Sequence, residues 1–153
     1  MGNTFICEVT VTFNISKLHK DLSIVSQQNA STHEAMLEMK EKIDTVFPDE
    51  YICFISQMSE VEISIKDLSF VRIWGAKGVV EMNNAYYVQK YIPGGVAIGD
   101  DEEGSVIFYA KGKSGYGLYK VGFGNLDIDD AEYVADSLRS FLLYGIGVSL
   151  FLA

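Results

Sequence analysis

Between Phe5 and Ile15, apolar Phe5, Cys7, Val9, Val11, Phe13 and Ile15 alternate with polar Glu8, Thr10, Thr12 and Asn14. A period of two predicts a half-buried strand. Residues 17–30 show no clear period and end in the polar run SQQNAS. From there Met36, Met39, Ile43 and Phe47 recur at helical spacing. Ser31 predicts the N-cap of this helix, Glu34 its capping-box partner and Pro48 its stop. DEYICFISQM (49–58) then predicts a second, short helix.

The middle of the chain turns to strands. VEISI (61–65) and SFVRIW (69–74) are short candidates, and AKGVVEMNNAYYVQ (76–89) reads as a short helix running into extended chain. GVAIG (95–99), SVIFYA (105–110) and GLYKVGF (117–123) follow as strands joined by glycine-bearing turns. A last helix is predicted from Asp129, paired with Glu132, through the stripe Ala131, Val134, Leu138, Phe141 and Leu142. Helices before, strands between and a helix after give the α+β class in a single domain, with a core expected to gather Trp74, Ile98, Phe108, Val121, Leu138 and Phe141.

Composition narrows the function classes. The 153 residues are 48% hydrophobic and 22% charged, an ordinary globular balance. The net charge of −9 argues against nucleic acid as a direct ligand, because phosphate binding needs clustered Lys and Arg. A cationic partner fits the negative field better, although solubility alone also accounts for it. Cys7 and Cys53 are too few and too far apart for a disulfide framework or a zinc site, so a cytoplasmic protein with reduced thiols is expected. MGNTFICEV lacks a basic region followed by an apolar core, and FLLYGIGVSLFLA (141–153) is too short to span a bilayer, so neither a secretory signal nor a membrane partner is expected.

Catalytic and metal motifs fail on spacing. An EF-hand loop with Gly104 at its sixth position would begin at Gly99, where Asp is required. GKS (112–114) lacks the upstream glycine of a phosphate loop, since Ile107 stands there, and GFGNLD (122–127) lacks the third glycine of a dinucleotide fingerprint. Of the two histidines, His33 falls in a helical first turn, and Cys53 sits on an apolar helix face. No catalytic residue, metal or cofactor is expected.

Charge geography remains. Residues 76–153 hold ten acids, nine of them in 100–103 and 127–136, and neither stretch contains Lys or Arg. A helix start would account for Asp127, Asp129 and Asp130. Asp100, Asp101, Glu102 and Glu103 repel one another on a short turn without that reason. These seven carboxylates are the candidate surface for a basic partner, the alternative being a solvated hairpin.

Several segments resemble the SUKH superfamily, which includes yeast cell-wall-assembly regulators and many bacterial immunity proteins. STHEAMLEMKEKIDTVFPDEYICFI is similar to its opening helix, Pro-x-x-Tyr turn (Pro48 to Tyr51) and next helix with Phe54. VRIWG is similar to the strand ending near Trp74, and EMNNAYYVQKYIPGGVAIGDD to the run into the Ile-Gly turn. LYKVGFGNLDIDDAEYVADSLRSFL is similar to the closing segment, with Ala135-Asp136-Ser137 and Phe141. The chain departs from the pattern at Ser105, where an acid is usual, and in the strand-like start before residue 30. The resemblance covers residues 31–145 as the SUKH-like body; the alternation before it makes 1–30 an amino-terminal strand and connection of the same domain, and the apolar composition of 146–153 makes it a tail. The resemblance further implies helices packed on a central, mostly antiparallel sheet, and no enzymatic activity. The implied role is immunity: direct binding of a secreted toxin, such as a nuclease. A cytosolic regulatory scaffold of the yeast type is the alternative, and a small-ligand or hydrolytic domain comes third.

Overall fold

The seven strands lie side by side in the order in which the chain makes them. In the computed structural model, which describes residues 14–152, β1 (Leu22–Gln28), β2 (Ser59–Ile65), β3 (Ser69–Ile73), β4 (Val96–Asp100), β5 (Ser105–Gly112), β6 (Gly115–Gly122) and β7 (Glu132–Ala135) form one sheet of order β1-β2-β3-β4-β5-β6-β7. Every neighbouring pair is antiparallel. Between β1 and β2 run α1 (His33–Lys42) and α2 (Asp49–Ile55); between β3 and β4 run α3 (Ala76–Ala85) and α4 (Val88–Tyr91); α5 (Leu138–Tyr144) follows β7. The class is α+β in a single domain, as expected.

Alternation explains how this sheet is covered. In the β5–β6 ladder Ile107 and Leu118 project to one side, where Leu138, Phe141 and Phe151 join them with Ile73 and Val134 around one small apolar gap. Phe108 and Tyr119 project to the other side and stack, with ring centroids 5.9 Å apart. β4 and β5 are buried on both faces over most of their length, so VAIG and VIFYA read as continuous apolar runs rather than alternations. All six expected core residues are buried in one continuous cluster. Val121, however, alternates with Leu118, so it and Phe108 face away from the last helix.

Local physics corrects several boundaries. α1 is capped by Thr32, whose hydroxyl accepts from Ala35 N, while the expected cap Ser31 uses its hydroxyl to accept from Ala76 N at the start of α3. The aperiodic stretch 17–30 contains β1, an edge strand whose second half is exposed, so no burial pattern marks it. Residues 86–91 are not extended: Tyr87, in the left-handed region at φ 54°, separates α3 from α4.

The largest correction is at the last helix. Asp127 to Asp130 form a 3-10 turn, residues 132–135 pair with β6 as β7, and the helix begins only at Leu138, capped by Ser137 through Ser140 N. Ladder hydrogen bonds to β6 outweigh the helical spacing of Val134 and Leu138. The helix-dipole reason for the acids at 127–130 therefore does not hold. GKS is the turn of the β5–β6 hairpin, closed by Gly112 opposite Gly115.

The expected strand at 5–15 lies almost wholly outside the described residues, and Ile15 belongs to a 3-10 turn. Cys53 is buried in α2, and Cys7 lies outside the described residues.

A charged row and an acidic end of the sheet

Register places Glu62 opposite Arg72 on β2 and β3, and Arg72 opposite Asp100 on β3 and β4. These three side chains therefore form one row across the sheet. The Arg72 guanidinium lies 3.6 Å from Glu62 and 3.7 Å from Glu102. Burial and the adjoining Glu62 carboxyl, which shares a hydrogen bond with it, raise Glu102 above the usual carboxylate range, with Arg72 opposing them. Asp100 accepts from the Trp74 indole at 2.8 Å and from Glu102 N at 2.8 Å. Asp101 folds the turn on itself by accepting from Glu103 N and Ser105 N, both at 2.9 Å.

The four adjacent acids thus differ in employment, which corrects the view that the cluster lacks structural reason or countercharge. Asp100 orients Trp74, Asp101 closes the turn, and Glu102 faces Arg72 from a left-handed backbone of φ 60°. Glu103 is exposed and makes no side-chain hydrogen bond or ion pair among the described residues. Sequence reasoning missed Arg72 because it reaches the turn across a strand ladder, not along the chain.

The second acidic stretch arrives at the same end of the sheet. β4 and β6 both finish there, and Phe123 N, just beyond β6, donates to Gly104 O at 2.9 Å. Asp127 accepts from Asp129 N, Asp130 accepts from Asn125 Nδ2 at 3.1 Å, and Asp127, Asp129 and Asp130 are all exposed. The structure therefore brings the seven candidate residues to one edge of the sheet, divided between turn-forming and solvent-facing roles.

A second feature was not singled out from the sequence. The first turns of α1 and α3 border an open recess of about 520 Å³, lined by Ser31, Thr32, Ser59, Glu60, Gly75 and Lys77 among others. Glu60, at φ 47°, accepts from Gly75 N at 2.8 Å. A Cβ at Gly78 would come within 2.7 Å of that carboxylate, so the glycine leaves room for it. Glycines at the mouth of a helix after Trp74 were the available signal.

Among the described residues no group of three His, Cys, Asp or Glu is placed to hold a metal ion, and no helix is long and apolar enough to cross a membrane. In comparison with known proteins, the sequence model of the SMI1 / KNR4 family (SUKH-1) matches residues 30–143. No curated protein matches the chain.

Proposed function

Because the chain belongs to the SMI1 / KNR4 family (SUKH-1), we propose that it is a non-enzymatic protein-binding module acting as an immunity protein, one that neutralises a basic toxin domain such as a nuclease by direct contact. The observation that carries this reading is the convergence of the 100–103 and 127–130 carboxylates on one end of the sheet, coupled by the Phe123–Gly104 hydrogen bond. A net charge of −9 strengthens the field there and favours fast encounter with a cationic surface. Asp100, Asp101, Glu102, Glu103, Asp127, Asp129 and Asp130 remain the proposed surface. Within it, Asp100, Asp101 and Asp127 act chiefly by holding the turns that present the others. No cofactor, metal or nucleic acid enters the mechanism.

The proposed site of action is the cytoplasm, where a nuclease toxin meets its substrate. Reduced thiols at Cys7 and Cys53 are expected there. Alkylation of thiols at cell lysis, followed by mass measurement, decides the point. The functional test is co-expression with the toxin domain encoded beside this chain's gene. Protection from toxicity, with co-elution of the two proteins, is expected. A gene with no such neighbour, or failure to protect, would move the reading to a regulatory scaffold.

A further inference from the structure

We propose that Tyr86, packed at a tilt against Phe123, is the apolar anchor of the acidic surface, and that its occupant is a basic protein face carrying an apolar residue at its centre. The proposal rests on the protein-binding reading above and goes beyond it by dividing the surface into a part that attracts and a part that holds.

Tyr86 ends α3 and is 39% exposed, yet its ring is not loose: its centroid lies 4.4 Å from that of Phe123, with the planes at 38°. Phe123 is in turn fixed to the acidic turn through Gly104 O. Leu126 and Ile128, a few residues further on, are partly buried against the core. The aromatic pair thus adjoins the acidic turn through Phe123, and the chain runs on from it through Leu126 and Ile128 to Asp129 and Asp130. A central apolar group with a charged rim is the anatomy of a protein interface, and rigid aromatic rings give contact at small entropic cost.

Charge selects among possible occupants. The flanking segments 100–103 and 127–130 carry acids without Lys or Arg, so an anionic ligand is repelled, and so is a second copy of this chain at −9. A cationic face is attracted. Long-range charge acts on the rate of encounter, whereas buried apolar contact acts on the rate of escape. The two contributions are therefore separable.

The test titrates the full isotope-labelled chain with two synthetic peptides of equal positive charge, one with a central Leu-Leu pair and one with Ser-Ser. Amide shifts should appear at Tyr86, Phe123 and Leu126, with the leucine peptide bound on the order of tenfold more tightly. Tyr86→Ser, checked for unchanged spectra elsewhere, should abolish that preference while leaving salt-sensitive binding of both peptides; Tyr86→Phe should keep it. Equal affinity of the two peptides for the wild type, or a preference that survives Tyr86→Ser, overturns the anchor while the acidic docking reading stands. If neither peptide binds this end of the sheet, both fall.

Discussion

Asn83 is 1% exposed in the last turn of α3, where a polar side chain needs a reason. Its amide donates to Val79 O and Ala97 O, and its oxygen accepts from Ala97 N and Gln89 Nε2, which ties the crossover helix to β4. Asn83→Ala leaves both backbone groups of Ala97 without that partner, and a loss of ~2–4 kcal/mol is expected in urea unfolding. Glu102 offers a pH prediction. Its folded pKa is raised, so the stability linked to its proton is complete at low pH and is lost as pH rises through that value. Glu102→Gln keeps a neutral group at all pH. Its melting temperature relative to wild type should therefore climb as pH rises above the ordinary glutamate pKa of about 4.3. A gap that stays flat or shrinks would show that Arg72 outweighs burial and Glu62 at this side chain.

At the scale of elements, the revised start of α5 is the sharpest test. Ser137→Ala removes the true cap and should cost ~1 kcal/mol, whereas Asp129→Ala, at the start expected from spacing, should change stability by less than ~0.5 kcal/mol. Equal losses in denaturant melts would restore the longer helix. What could be read from the chain followed from how strongly each element is determined locally. α1, α2 and strands β2 to β6 carry their own periodicity, caps or turn glycines. β1 and β7 do not, because they are outer strands of the sheet and owe their shape to a partner ladder. The same holds at the site. The acids were visible as a run, but Arg72 and Trp74, which give Glu102 and Asp100 their tasks, come from a strand distant in sequence. The Tyr86–Phe123 pair joins a helix end to a post-strand turn and had no signal in either segment alone.

For the whole molecule, the division of the acids changes how the surface should be probed. Neutralising all four of Asp100 to Glu103 would also take one acceptor oxygen from Asp100, which uses one on the Trp74 indole and the other on Glu102 N. Replacing the solvent-facing Glu103, Asp129 and Asp130 by Gln and Asn leaves those bonds in place. This triple variant should melt within ~0.5 kcal/mol of wild type per site, associate with the toxin domain several-fold more slowly at low salt, and show a flatter salt dependence. Unchanged association in stopped-flow mixing would place the interface elsewhere. Strands in chain order have a further consequence, in folding kinetics. The ladders β2–β3, β4–β5, β5–β6 and β6–β7 join segments linked by a turn or a short connection, which keeps loop-closure entropy and contact order low. Two ladders span helices: β1 to β2, which pair from Leu22–Ile65 to Gln28–Ser59, and β3 to β4, separated by α3 and α4 and paired only at Arg72–Asp100 and Ile73–Gly99, next to the Trp74 N to Ile98 O bond. The β3–β4 junction is a seam between two halves that can each zip up as they are synthesised. Native-state hydrogen exchange should find the Trp74 amide opening before those of the long β5–β6 hairpin. The charged row crosses the same seam, with Glu62 and Arg72 on one half and Asp100 and Glu102 on the other. A partner that grips the acidic end therefore staples the halves together, and should slow exchange at Trp74 although it never touches that amide.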